Sequence, residues 1–203
     1  MIQGMRFVVT GTDTDIGKTV FAAGLAGLIG ARYWKPVQAG EPGDRETVAA
    51  LAGVETVPEV YRLKLAASPH QGAARENIVI DADRLNPPLG LLVIEGAGGL
   101  MVPLTRTILN IDVFARWKLP LILCARTALG TINHTLLSVA AIHAHDVPLR
   151  GIAFIGDANA ESEEIIIEKS GARRLGRLPP VKPLTRDGLA AAFAANFQRE
   201  DFH

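Results

Sequence analysis

The chain has 203 residues, 48% of them hydrophobic and 21% charged, which suits one α/β domain with a good-sized core and excludes a disordered chain. Its 21 basic and 21 acidic residues cancel and no basic block stands out, so nucleic acid is not an expected partner. No run reaches the roughly 18 apolar residues of a membrane span, and the apolar stretch after Arg6 is too short for a secretory signal, so the cytoplasm is the expected compartment.

Short apolar runs alternate with helix-like segments, the pattern of a mostly parallel central sheet with helices on both faces. The strand expected first covers 6–10, and an Ala-rich helix follows over 18–29. A second strand is expected over 33–37 and a helix over 45–52. The stretch 55–88 holds Pro58, Pro69, Pro87 and Pro88 and reads as loop with short helical pieces. Strands are then expected over 91–95, 120–125 and 151–155, with a shorter edge candidate over 174–178. Between and after them, helices are expected over 111–117, 131–144, 160–170 and 185–196, the last opened by Thr185 as an N-cap with acidic Asp187 behind it. No repeat or linker divides the chain, so residues 1–203 read as a single domain.

The run Thr10-Gly11-Thr12-Asp13-Thr14-Asp15-Ile16-Gly17-Lys18-Thr19 lies between the first strand and the first helix. Strand, Gly-bounded loop, Gly-Lys-Thr and helix, in that order, make a phosphate-binding loop, and the whole reads as a P-loop NTPase-like fold. The free N–H groups from Asp15 through Ile16, Gly17 and on to Val20 point at an anion, and the helix dipole favours negative charge there. Lys18 reaches the outer phosphates, and the Thr19 hydroxyl is a Mg²⁺ ligand. Gly11 and Gly17 are separated by five residues rather than the usual four.

In such sheets ligands bind beyond the carboxyl ends of the strands. Three further motifs fall there. Lys35-Pro36-Val37-Gln38-Ala39-Gly40 places a second ammonium beside Lys18, which suits charge developing on a γ-phosphoryl group. Leu91-Leu92-Val93-Ile94-Glu95-Gly96-Ala97-Gly98-Gly99 is an apolar strand ending in a carboxylate suited to Mg²⁺, then glycines that let backbone approach a ligand. Leu129-Gly130-Thr131-Ile132-Asn133-His134 is a turn opening a helix, with N–H groups and the Asn133 amide free for a carboxylate. Asp44 is either a third metal ligand or the N-cap of the helix that follows. Ser68-Pro69-His70 reads as a turn, His134 as a stacking or capping group, and Cys124 as a small buried hydrophobe.

Together, in this order, these motifs resemble the dethiobiotin synthetase family over most of the chain up to about Gly151. The Thr-Gly-Thr-Asp-Thr opening looks like that family's own phosphate loop. The resemblance implies ATP- and Mg²⁺-dependent carboxylation of 7,8-diaminononanoate with CO₂, closing a ureido ring through a carbamate and a carbamic–phosphoric anhydride. By position, Lys18 and Lys35 would hold phosphates and carbamate, with Thr14 near the diamine. Thr19, Asp44 and Glu95 would ligate Mg²⁺. Gly96, Ala97 and Gly98 would border the nucleotide, and Gly98 and Ala39 the substrate. Leu129, Gly130 and Asn133 would receive the substrate carboxylate across a homodimer interface. The family often has Ser or Thr where Ala39 stands, and removing that hydroxyl costs about one hydrogen bond, on the order of 1 kcal/mol. Relatives commonly carry an adenine-reading Asn where Gly156 and Asp157 follow the fifth strand, leaving Pro179, Pro180 and Val181 as the other base contacts. Helical segments before Tyr33 and at 86–90 look shortened against the family. A partition-type nucleotide-switch ATPase is the alternative, but such proteins usually carry an early second lysine in the loop, and no lysine precedes Lys18. A corrinoid amidotransferase-like ligase needs a glutaminase domain for which 203 residues leave no room.

Overall fold

The computed structural model describes residues 4–202. From the amino end the elements are β1 (Arg6–Gly11), α1 (Lys18–Ile29), β2 (Arg32–Trp34), β3 (Val37–Ala39), α2 (Asp44–Ala52), β4 (Thr56–Val57), β5 (Tyr61–Leu63) and α3 (Pro69–Arg75). They continue with β6 (Leu92–Gly99), α4 (Asn110–Trp117), β7 (Leu121–Arg126), α5 (Thr131–Ala144), β8 (Leu149–Ile155), α6 (Ala160–Ser170), β9 (Arg174–Leu178) and α7 (Arg186–Asn196). The central sheet has the order β4-β2-β6-β1-β7-β8-β9, and every pairing in it is parallel.

The strands read as unbroken apolar runs because both faces are covered. Successive side chains point to opposite faces. Thus Phe7, Val9, Val93, Ile122 and Cys124 pack under α1 and α7 with Phe21, Leu25 and Phe193. Val8, Ile94, Leu121, Leu123 and Phe154 face the other way, with Phe114 of α4, Val139 of α5 and Ile166 of α6. Cys124 is fully buried in the first of these layers, where burial pushes its thiol pKa up, and it behaves as a hydrophobe.

Three details differ from the sequence expectation. The strand expected over 33–37 is cut in two. β2 ends at Trp34, and β3 leaves the main sheet to pair with β5 in a small second sheet. Pro36 causes the break, since it has no N–H for a ladder, while its carbonyl accepts from Val60 and Tyr61 at 2.9 and 3.1 Å. The strand expected to stop at Glu95 runs on to Gly99, whose backbone lies beside Gly11 after an irregular step in β1. The stretch 55–88 holds two short strands, a short helix and a 3₁₀ turn over Ala82–Arg84. It is tied down by its own small core of Val37, Tyr61, Leu63, Ile80 and Leu85, and by the Trp117 indole donating to the Leu85 carbonyl at 2.7 Å.

Candidate active site

The phosphate loop leaves the central strand β1 and ends at Gly17, which adopts a left-handed φ of 94° as the residue before α1. Only glycine enters that conformation freely, and a Cβ there would also meet Ile155 at 3.0 Å. No side chain caps α1 and no acidic residue stands in its first turn, so its leading N–H groups face the cavity with nothing competing for an anion. Asp15 is also left-handed, at φ 54°, a costly state for a residue with a side chain and one that recurs at ligand-gripping loops.

A cavity of about 340 Å³ opens here, at the carboxyl ends of β1 and β6. It is lined by Thr14, Asp15, Gly17, Lys18, Thr19, Val20, Lys35, Asp44, Glu95 and Gly98. Residues from four separate stretches of sequence therefore converge on one space.

Glu95 is the hub. Its carboxylate is 1% exposed and accepts from the Thr19 hydroxyl at 2.9 Å and the Tyr33 hydroxyl at 2.8 Å. Lys35 lies 3.6 Å from the same oxygen that Thr19 reaches, and pairs closely with Asp44. Because β2 ends before Pro36, Lys35 stands at the junction of the two sheets rather than inside a strand, so its ammonium can bridge Asp44 and Glu95. Asp44 is the first residue of α2, whose N-cap is Gly43, and its side chain makes no cap bond. The capping alternative for Asp44 is thus overturned, because the carboxylate is spent on Lys35 instead. Gln38 fixes this arrangement from behind. Its amide donates to the Gly40 carbonyl at 3.1 Å and accepts from the Asp44 N–H at 3.3 Å.

The two lysines are tuned in opposite directions. Burial lowers the Lys18 pKa from its ordinary value, only partly opposed by Glu95, while Nζ donates to the Asp13 carbonyl at 2.7 Å. Burial would lower Lys35 too, but the charges of Glu95 and Asp44 outweigh it and raise its pKa. Burial, together with the neighbouring Glu95 charge, pushes the Tyr33 phenol well above its usual range, so it stays a neutral donor.

Among the described residues no cluster of three or more His, Cys, Asp or Glu forms a ready metal cage. Two carboxylates and a hydroxyl do converge, and these hard oxygens suit Mg²⁺, which takes its remaining ligands from water and phosphate. The donor set fits that ion.

Other expected site residues lie elsewhere. Ile16 is buried in the core beneath the loop. Gly96 faces Phe114, and the Ala97 carbonyl accepts from Asn110 at 2.7 Å, so both support the glycine-rich turn rather than line the cavity. Ala39 packs against the small second core. Gly156 meets the end of β9 through its N–H to the Leu178 carbonyl at 3.0 Å, which brings Gly156 and Asp157 next to Pro179, Pro180 and Val181. Asn159, three residues past Gly156, caps α6 and donates to the Thr127 carbonyl at 3.2 Å. Leu129 is 99% exposed, Gly130 is left-handed at the start of α5, and Asn133 is exposed, all outside the cavity. A second cavity, also about 340 Å³, shares Thr14 with the first and is lined by Gly99, Met101, Val102 and Leu137. The expected turn at Ser68-Pro69-His70 is instead the start of α3, with Ser68 as its N-cap residue; the His70 ring bonds the Ser68 hydroxyl at 3.0 Å and its backbone N–H donates to the Pro103 carbonyl at 3.3 Å.

Tyr33 and Gln38 were not singled out from sequence. Tyr33 was legible in principle. It sits two residues before Lys35, so in extended chain both side chains leave on one side.

A family model described as an AAA domain matches residues 5–187. The chain is 59% identical over 199 residues to the ATP-dependent dethiobiotin synthetase of Sphingopyxis alaskensis, covering 97% of this chain and 98% of that one. It is 56% identical to the protein of the same name from Agrobacterium fabrum, with 98% of both chains covered. Among solved structures, a ParA family ATPase from Chlorobium tepidum aligns with a TM-score of 0.52 at 12% identity, over 95% of this chain and 92% of that one. The receptor FtsY from Elizabethkingia anophelis aligns with a TM-score of 0.54 at 11% identity, over 96% of this chain but only 64% of that longer protein. These structural likenesses establish the P-loop NTPase fold and nothing about substrate. On the strength of the near-full-length identities, the chain belongs to the ATP-dependent dethiobiotin synthetase family.

Proposed function

We propose that the protein uses ATP and Mg²⁺ to carboxylate 7,8-diaminononanoate and close its ureido ring, giving dethiobiotin. The observation that carries this reading is the convergence of Lys18, Thr19, Lys35, Asp44 and Glu95 on one cavity at the head of α1, in a chain so similar to enzymes of that name.

One amine of the substrate adds to CO₂ and loses a proton, forming a carbamate. A carbamate oxygen attacks the γ-phosphorus of ATP and ADP leaves. The second amine attacks the carbamate carbon, loses a proton and expels phosphate. The protein supplies no covalent partner, so its work is positioning and neutralising charge. Lys35, with its raised pKa, stays protonated and acts as a fixed cation rather than a base. Lys18 and the N–H groups from Asp15 to Val20 hold the phosphates. Thr19, Asp44 and Glu95 would hold Mg²⁺, which when bound supplies charge neutralisation on the phosphate oxygens.

Thr14, shared by both cavities, places the diamine against the γ-phosphate, with Gly98 beside it. Ala39 lacks the hydroxyl that relatives often offer the substrate. The exposed start of α5 and the exposed Met101, Leu129 and Leu137 suit a homodimer, in which Leu129, Gly130 and Asn133 receive the substrate carboxylate of the other subunit. Gly156, Asp157 and the 179–181 turn border the base. Among the described residues no helix is long and apolar enough to cross a membrane, and the cytoplasm suits the lone cysteine.

The test is a mass-spectrometric assay with ATP, Mg²⁺, bicarbonate and 7,8-diaminononanoate. Dethiobiotin and ADP should form only when all four are present. ATP hydrolysis indifferent to the diamine would refute the reading and favour a nucleotide switch.

A further inference from the structure

Tyr33 is fully buried on β2, its ring in the core layer that also holds Val9, Phe21 and Val93. Its hydroxyl donates to Oε2 of Glu95 at 2.8 Å. The other oxygen, Oε1, accepts from Thr19 at 2.9 Å and lies 3.6 Å from Lys35. The carboxylate is therefore split between two environments, one oxygen anchored in the core and one presented to the phosphate loop.

We infer that Tyr33 is a positioning residue for the metal–nucleotide site, holding Glu95 so that Oε1 faces the loop. The terminal torsion of a glutamate is broad and roughly two-fold, so packing alone fixes it poorly. A phenol hydroxyl can only donate to a carboxylate, and it does so from a ring clamped in the core. Removing it frees the group to rotate toward Lys35 and Thr19, spoiling the oxygen offered to a cation. Partners of this kind behind a metal ligand typically change metal affinity by about 10- to 100-fold when lost. The inference rests on the proposed role of Glu95 as a Mg²⁺ ligand.

The test is calorimetric nucleotide binding across a Mg²⁺ titration, and in a chelator, for wild type and Tyr33→Phe. The Mg²⁺ concentration giving half-maximal enhancement should rise roughly 10-fold or more in Tyr33→Phe, while affinity in the chelator stays at the wild-type value. Two further variants separate positioning from general loosening of β2. Trp34→Phe removes the neighbouring indole bond to the Pro58 carbonyl, 3.1 Å long, and should keep the wild-type titration. Tyr33→fluorotyrosine keeps the ring and strengthens the donor, and should bind Mg²⁺ at least as well as wild type. A Mg²⁺ titration unchanged in Tyr33→Phe, or an equal loss of affinity with and without Mg²⁺, would overturn the inference. Wild-type binding indifferent to Mg²⁺ would instead remove the metal role of Glu95, and this inference with it.

Discussion

Lys18 and Lys35 carry the same charge in one cavity, yet their neighbours tune them apart. Lys18 has a carbonyl for its near partner, whereas Lys35 has two carboxylates. The consequence is a pH dependence with a definite sign. Bound phosphates favour the charged form of Lys18, so above its lowered pKa nucleotide binding must take up a proton. Affinity should fall as pH rises, setting in below the ordinary lysine range. Lys35, raised, stays charged throughout and does not add to this limb. Nucleotide affinity that is flat up to the ordinary lysine pKa would contradict the assignment. Lys35→Ala should lower turnover by about 100-fold or more in a steady-state assay, because it removes a preorganised cation and leaves Asp44 and Glu95 uncompensated. Near-normal turnover would remove Lys35 from the mechanism. At this scale the sequence was legible where a residue's position follows from a local pattern. Lys18, Thr19 and Glu95 stand at fixed places on a strand–loop–helix frame. Asp44 was ambiguous because capping and ligation use the same carboxylate; in the structure Gly43 holds the N-cap position and the Asp44 carboxylate meets Lys35.

Elements were legible where periodicity and caps agree. Helix α7 begins after Thr185, whose hydroxyl accepts from the Gly188 N–H at 3.2 Å, as expected for an N-cap. The failure at 33–37 has a different origin. The stretch Tyr33-Trp34-Lys35-Pro36-Val37 reads as one strand, but its hydrogen bonds change partner at Pro36, and partner choice is a long-range fact. The same is true of 55–88, whose short strands β4 and β5 exist only because β2 and β3 offer them edges. Helix α1 illustrates close packing that composition alone cannot show. A Cβ on Gly24 would lie 2.0 Å from the Phe193 ring, which stacks in turn on Phe197 with centroids 4.6 Å apart. Gly24→Ala should therefore destabilise the protein by about 1–3 kcal/mol through overpacking, despite alanine's better helix propensity. Equilibrium denaturant unfolding checks this, and an equal or raised midpoint would show that α7 can move aside.

For the whole molecule, sheet order sets which motifs meet. β1 lies between β6 and β7, so the phosphate loop leaves the centre of the sheet, and Glu95 on β6 and Lys35 after β2 flank it on one side. The 129–133 turn after β7 and the 156–157 segment after β8 flank it on the other. The parallel architecture was readable from alternation of apolar runs and helices, but which strands become neighbours was not. In the proposed chemistry these groups direct a carbamate oxygen onto the γ-phosphorus of ATP. The most direct measurement supplies ¹⁸O-labelled CO₂ with unlabelled ATP, Mg²⁺ and 7,8-diaminononanoate in a single rapid turnover. The label should appear in both the ureido carbonyl of dethiobiotin and the released phosphate. Dethiobiotin carrying label beside phosphate that carries none would contradict this chemistry.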